Sequence, residues 1–271
     1  MPTTVATRIG RVLEARKAQG RKSFIAYLTG GDPSPDVTAD LVLALERGGA
    51  DVIELGVPFS DPIADGPVIQ RASERALAAG TTLPRLLNVV REIRKQSEIP
   101  LLLFSYLNPL LRYGFGRLAR DASAAGVDGV LLTDLSVEEA DEPVRELRAY
   151  GLDTVFLAAP TSSDRRLQLV AGYSSGFIYL VSRTGVTGER QSLSEAARPL
   201  IARMRAYTEL PLAVGFGIGT PEQVEETARV ADAVVVGSAI VRLIETNAGK
   251  PTLAGELERF TSCLTAPLGP A

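Results

Sequence analysis

Short apolar runs alternate with longer amphipathic stretches about eight times along the chain. Runs such as Leu101 to Phe104 and Val234 to Val236 are apolar on both faces, which is typical of buried parallel strands. Strands that alternate with helices predict βαβ units and a parallel sheet. The predicted strands are Phe24 to Thr29, Asp51 to Gly56, Pro100 to Tyr106, Gly129 to Asp134, Asp153 to Ala159, Gly176 to Ser182, Pro211 to Gly217 and Ala233 to Gly237.

Helix starts support this pattern. Thr220-Pro221-Glu222-Gln223 has the residues of a capping box with proline at the first helical position, and Ser136-Val137-Glu138-Glu139 predicts a second such start. About eight strand-helix pairs follow one another without a linker or a break in composition, which favours one closed barrel over a two-domain doubly wound sheet. We therefore predict an α/β fold, a (β/α)8 TIM barrel, in which residues 1–271 form a single domain.

Both ends of the chain lie outside this repeat. Ile9, Val12, Leu13 and Arg16 have helical spacing and predict an extra N-terminal helix that closes the bottom of the barrel. The segment 265–271 contains two prolines and a glycine, so we expect a frayed tail there.

Composition limits the classes of function. A net charge of -3 without clustered Lys or Arg argues against binding to nucleic acid or to anionic membranes. The sequence has neither an apolar run of about 20 residues nor a signal-peptide pattern, so we expect a cytoplasmic protein. We expect the lone Cys263 to be structural.

The absence of histidine restricts the chemistry further. It excludes Ser-His-Asp machinery and His-based metal sites, and we predict no metal. The lysines, Lys17, Lys22, Lys95 and Lys250, lie outside apolar strand-like runs, which argues against a Schiff-base aldolase or a lysine-anchored pyridoxal phosphate. Proton transfer is left to carboxylates and tyrosines.

One strand carries an acid. Glu54 shares a face with Val52 and Gly56, while Ile53 and Leu55 lie on the opposite, apolar face. If that apolar face packs against helices, Glu54 points into the barrel lumen, where loss of hydration raises the pKa of a carboxyl group. It is also possible for such a glutamate only to form a polar layer in the barrel.

The loop after this strand, 57–67, contains three prolines and two acids. Asp61 precedes Pro62 and Asp65 precedes Gly66, so each could be a turn residue as well as a functional carboxylate.

Two glycine-containing segments close the last predicted strands, 214–219 and 236–240. Barrels often bind phosphate there through bared backbone N–H groups and a helix N-terminus, to which the Ser238 hydroxyl could add a donor. Glycines also serve tight turns, so the GxGxG run alone is a weak signal. The polar loop 182–190 has the composition of a lid, and its Arg183 could bind phosphate or form a salt bridge at the barrel rim.

These segments resemble the tryptophan synthase alpha subunit family over nearly the whole chain. The stretch from Glu54 to Pro62, ELGVPFSDP, followed by Ala64-Asp65-Gly66-Pro67, is similar to the hallmark of that family. Supporting similarities are Gly31-Asp32-Pro33, Asn108-Pro109, Ser182 to Gly188, Gly215 to Ile218 and Gly237 to Val241.

The resemblance implies a lyase that cleaves indole-3-glycerol phosphate to indole and glyceraldehyde 3-phosphate in tryptophan biosynthesis. It implies that Glu54 is the acid-base group and that Asp65 binds the indole N–H. The remaining implied site residues are Tyr179, which positions Glu54 and the substrate; Thr187, a lid partner of Asp65; Phe104 and Tyr106, which line the indole pocket; and Gly188, Gly217, Gly237 and Ser238, which hold the phosphate.

The resemblance also implies a beta subunit in an alpha2beta2 complex, with pyridoxal phosphate on that partner and no cofactor here. Ser136 stands where relatives that face the beta subunit carry proline, so an autonomous lyase that releases free indole stays open. The sequence also leaves open a non-catalytic phosphate-binding barrel and, with less support, an aminoaldose phosphate isomerase.

Overall fold

The computed structural model describes residues 7–181, 193–215 and 217–269. Over these ranges the strands are β1 Ser23–Thr29, β2 Val52–Gly56, β3 Leu101–Ser105, β4 Gly129–Leu132, β5 Asp153–Val155, β6 Leu157–Ala158, β7 Ile178–Val181, β8 Leu212–Gly215 and β9 Ala233–Val236. The helices are α1 Arg8–Ala18, α2 Pro35–Arg47, α3 Pro67–Ala78, α4 Leu83–Arg94, α5 Leu107–Tyr113, α6 Phe115–Ala125, α7 Asp141–Ala149, α8 Asp164–Tyr173, α9 Leu193–Arg205, α10 Pro221–Ala228, α11 Ser238–Asn247 and α12 Leu253–Thr265.

The strands form one parallel sheet that closes into a barrel. Its order is β5-β4-β3-β2-β1-β9-β8-β7-β6. β5 and β6 are the two halves of the predicted fifth strand, separated by Phe156, whose carbonyl accepts a hydrogen bond of 3.1 Å from the Tyr179 N–H. The ring is therefore continuous, and the predicted eight-stranded barrel is confirmed, with strand ends displaced by at most a few residues.

Two apolar layers hold the barrel together. Outward side chains such as Ile53 and Leu55 pack against the helices, and inward side chains such as Val52 and Leu102 fill the lumen. This is the alternation expected of barrel strands.

The N-terminal helix closes the floor. Ile9 and Leu13 of α1 are buried among the inward side chains, in the same cluster as Val155 and Phe177. The predicted bottom helix is thus confirmed, and the pattern of apolar residues identified the face that it buries.

Three aspartates fasten the lower ends of neighbouring strands. Asp51, Asp128 and Asp232 each precede a strand and accept the backbone N–H of Phe24, Leu101 and Leu212 respectively, at 2.8 Å in every case. Each carboxylate also pairs with an arginine: Arg16, Arg94 and Arg205. The same local device thus joins β1 to β2, β3 to β4 and β8 to β9.

One of the two predicted capping boxes is wrong. Thr220 and Gln223 form the complete box at α10, as predicted. Residues Val137–Glu139 instead make a single 3₁₀ turn, and α7 begins only at Asp141. The Ser136 hydroxyl donates to the Glu138 carboxylate at 2.5 Å and accepts no capping hydrogen bond from a backbone N–H.

The C-terminal segment 265–269 contacts the rest of the barrel, although we expected a frayed tail there. Thr265 donates to the Gly48 carbonyl at 2.8 Å, Ala266–Leu268 form a 3₁₀ turn, and Arg21 donates to the Gly269 carbonyl at 2.8 Å. Residues 270 and 271 lie outside the described residues. Among the described helices none has the length and apolar character needed to cross a membrane.

Candidate active site

Glu54 lies in the lumen, on the inward face of β2. It pairs in register with Tyr27 on one side and Leu102 on the other, and it is 1% exposed. Its Oε1 atom is buried and has no hydrogen-bond partner among the described residues. Burial without a compensating positive charge raises the pKa of Glu54 to about 8. Glu54 is therefore an acid that keeps its proton at neutral pH and has one oxygen available for a ligand.

Two tyrosines lie near this carboxyl, Tyr27 on the neighbouring strand β1 and Tyr179 across the barrel on β7. Tyr179 is buried on β7, and its pKa is raised well above the usual range, first by burial and then by the charges of Glu54 and Asp65. The same causes raise the pKa of Tyr27. Both hydroxyls stay protonated across the physiological range. They therefore donate or accept hydrogen bonds only as neutral groups.

Glycines make room for these hydroxyls. A Cβ atom added at Gly56 would overlap the Tyr27 hydroxyl, and one at Gly215 would overlap the Tyr179 hydroxyl. The glycines that end β2 and β8 therefore set the depth at which the two tyrosines lie in the lumen.

Asp65 lies in the loop between β2 and α3, held by Tyr106. The Tyr106 hydroxyl donates to Asp65 Oδ2 at 3.1 Å and accepts the Ala64 N–H at 2.9 Å, and its ring lies 5.3 Å from that of Phe59. Burial raises the pKa of Asp65 to about 6, and the Tyr106 hydrogen bond opposes this rise. Asp65 is therefore mostly a carboxylate at neutral pH, and the structure places Tyr106 as its support.

Phe104 contributes to the wall beside Tyr27. The two rings meet edge to face, with centroids 5.2 Å apart. Tyr27 was not among the residues that sequence reasoning singled out. The alternation that places Ile25 and Glu54 inward also places Tyr27 inward, so the sequence pattern could have identified Tyr27 as a residue of the lumen.

Gly217, Gly237 and Ser238 are the described members of the predicted phosphate site, and we call this set the phosphate cradle. Gly217 has a φ of +71°, and Ser238 opens α11 directly after Gly237. Gly217 and Ser238 line the same open groove of about 580 Å³. The first N–H groups of an α-helix lack intrahelical acceptors and favour an anion. Phe216 and three residues of the predicted lid, Arg183, Thr187 and Gly188, lie outside the described residues.

No cluster of metal-ligating side chains occurs within the part of the chain that the structure describes. The arrangement fits one class: a (β/α)8-barrel enzyme, with buried carboxyl groups on β2 and in the loop after it, and with a helix that begins directly after β9.

Comparisons with known proteins identify the family within this class. The family model for the tryptophan synthase alpha chain matches residues 13–264. A tryptophan synthase alpha chain from Solibacter usitatus is 66% identical over 94% of this chain and 96% of the relative, and one from Geotalea uraniireducens is 50% identical over 96% and 97%. The chain therefore belongs to the tryptophan synthase alpha chain family.

Solved structures agree with this assignment. Tryptophan synthase subunit alpha from Legionella pneumophila superposes with a TM-score of 0.90 at 38% identity, covering 97% of this chain and 99% of that one. A chain of Mycobacterium tuberculosis tryptophan synthase gives 0.89 at 36% identity, covering 98% and 100%.

Proposed function

We propose that this chain cleaves indole-3-glycerol phosphate to indole and glyceraldehyde 3-phosphate, as a lyase of tryptophan biosynthesis. The single observation that carries the proposal is the buried Glu54 carboxyl, whose Oε1 atom lacks a partner in the described lumen and whose pKa is about 8. Membership of the family supplies the substrate, and the site supplies groups that suit the reaction.

The protons balance with Glu54 alone. In its acid form Glu54 protonates indole C3, which places positive charge on the ring nitrogen and leaves Glu54 as a carboxylate. That carboxylate then accepts the proton of the glycerol hydroxyl next to the breaking bond. The carbon-carbon electron pair returns to the ring, the aldehyde forms, and Glu54 recovers its proton.

Asp65 suits the positively charged intermediate. With a pKa of about 6 it is ionised at neutral pH, and a carboxylate beside the indole N–H stabilises positive charge on the ring. Tyr179 positions Glu54 and the substrate, while Phe104 and Tyr106 line the indole pocket, Tyr106 also by holding Asp65.

The phosphate cradle binds the other end of the substrate. Gly217, Gly237 and Ser238 present backbone N–H groups and a hydroxyl at the start of α11. Gly188, Arg183 and Thr187 belong to the proposal through their place in the family motif alone, with Gly188 at the phosphate and Thr187 closing over Asp65. We also propose that residues 1–271 form a single domain and that the protein is cytoplasmic.

A tryptophan synthase beta subunit in an alpha2beta2 complex is the proposed partner. Pyridoxal phosphate would lie on that partner, and no cofactor is needed for the steps above. Family membership and the similarity to a chain of Mycobacterium tuberculosis tryptophan synthase support this part of the proposal.

The test is steady-state indole release from indole-3-glycerol phosphate by the isolated chain, with and without a beta subunit from a close relative. We expect slow release alone and strong activation by the partner. Fast release that the partner leaves unchanged would indicate an autonomous lyase instead. No release under either condition would contradict the lyase assignment.

A further inference from the structure

The two ends of the site are connected through a pair of helices. α3 begins at Pro67, two residues after Asp65, and α11 begins at Ser238 in the phosphate cradle. The two helices pack against each other and against β1. Any displacement of α3 along α11 therefore changes the distance between Asp65 and the cradle.

An ionic network runs along this helix pair. Arg75 of α3 forms a two-pronged ion pair with Asp32, from Nε to Oδ1 at 2.8 Å and from Nη2 to Oδ2 at 2.9 Å. Its remaining nitrogen, Nη1, donates to Glu245 Oε1 of α11 at 2.8 Å. One guanidinium group thus joins the loop after β1, α3 and α11.

Asp32 is a fixed point of the barrel. It is 1% exposed, in the loop that follows β1, and the neighbouring Gly31 N–H donates to Thr38 Oγ1 at 3.0 Å. A Cβ atom at Gly31 would overlap Thr81, so the loop packs closely against the chain beyond α3. Burial raises the pKa of Asp32, and Arg75 opposes that rise. The charge of Asp32 therefore depends on Arg75 for compensation.

Apolar packing lies beneath the network. Ala72 of α3 and Val241 of α11 are buried together with Tyr27, whose ring also contacts Phe104. Apolar contacts of this kind are non-directional and hold the two helices together. The directional hydrogen bonds of Arg71 and Arg75 to Glu245 fix the register between α3 and α11, and those of Arg75 also tie this helix pair to Asp32.

We propose that Arg75 is a positioning residue that sets the spacing between Asp65 and the phosphate cradle by holding Asp32 and Glu245 at once. The inference rests on the proposed function. Lysine cannot replace Arg75, because an ammonium group is a point charge and lacks the planar fork that reaches both carboxylates.

The experiment compares two ligands in the full-length chain. Glycerol 3-phosphate reaches only the cradle, whereas a non-cleavable indole-3-alkyl phosphate spans the cradle and Asp65. For Arg75→Gln we expect the affinity of the spanning ligand to fall by about tenfold or more, because a misplacement near 1 Å is already costly, and kcat to fall with it. Glycerol 3-phosphate should bind within about twofold of the original affinity.

Three further variants separate positioning from mere stability. Arg71→Gln is the matched control: Arg71 lies on the same helix and binds Glu245 at 2.8 and 3.0 Å without reaching Asp32. In this variant Arg75 still joins Glu245 to Asp32, so both affinities should be retained. Asp32→Asn combined with Arg75→Gln removes the uncompensated buried charge. We expect it to regain thermal stability while the spanning ligand still binds weakly. Arg75→Lys should behave like Arg75→Gln toward the spanning ligand.

The outcomes are distinct. If the double variant regains the affinity of the spanning ligand together with stability, Arg75 only neutralises Asp32 and the inference is overturned. Equal losses of both ligands, or an Arg75→Lys variant with the original affinities, would overturn it as well. A native chain that fails to cleave indole-3-glycerol phosphate even with a beta subunit would instead overturn the proposed function.

Discussion

At the residue scale, Glu54 combines the proposed proton transfer with a cost in folding stability. A carboxyl group with a pKa of about 8 in the folded chain and about 4.5 when unfolded must take up a proton during folding at neutral pH. Stability is therefore full below the unfolded pKa and is lost as pH rises toward 8. The group to which we assign the proton transfer therefore also lowers the stability of the fold.

Glu54→Gln should separate these two effects. Because glutamine keeps the size but cannot exchange a proton, we expect indole release to fall by roughly 10²-fold or more. At pH 7 the variant should be more stable by up to about 3 kcal/mol, since the cost of proton uptake disappears. Assays of indole release and urea unfolding at pH 5 and pH 7 measure both quantities. Unchanged turnover would exclude Glu54 as the acid-base group.

The two carboxyl groups also predict a bell-shaped pH profile. The proposed mechanism requires Glu54 protonated and Asp65 ionised, so kcat/KM should fall above a pH of about 8 and below about 6. The measurement is kcat/KM from pH 5 to 9. Asp65→Asn should lower activity and remove the acidic limb, and an acidic limb that persists in that variant would assign it to another group.

At the scale of single elements, the aspartates at the barrel floor carry a stability prediction. Asp128 has a 4% exposed side chain, accepts the Leu101 N–H and pairs with the nearly buried Arg94. Asp128→Ala leaves that guanidinium uncompensated, so the free energy of unfolding should fall by about 3–5 kcal/mol.

Chemical denaturation measures this effect. Glu98→Ala is the control, because Glu98 is an exposed partner of Arg8 at the same end of the barrel and its loss should have no measurable effect. Equal stability of the two variants would mean that the floor pairs are not structurally important.

The elements themselves could be predicted from sequence to a large extent. Apolar runs located the barrel strands because buried parallel strands leave a local signal. The break at Phe156 was not predicted, because it lies where the strand changes its pairing to β7. The 3₁₀ turn at 137–139 was not predicted either, because Ser136 has the residue type of a helix cap but bonds to the Glu138 side chain instead. Glu54 was identified from the alternation on its own strand, which is a local pattern. The pairing of Arg75 with Asp32, 43 positions apart, left no local pattern.

At the scale of the whole molecule, substrate binding should stabilise the barrel, because the proposed contacts come from β2, from the loop before α3 and from the start of α11 together. A non-cleavable indole-3-alkyl phosphate at about 100 times its Kd should add about 2.7 kcal/mol to the free energy of unfolding. Thermal unfolding with and without this ligand tests the prediction. Gly217→Asp places a carboxylate beside the cradle and should abolish most of the gain, while a gain that persists would locate the phosphate elsewhere.

The floor formed by α1 restricts the route by which small molecules enter and leave the lumen. Ile9 and Leu13 obstruct the lower end of the lumen, so passage between Glu54 and that side is blocked. Reactant and products must use the upper rim, and a partner seated on that rim would govern when indole departs and where it goes.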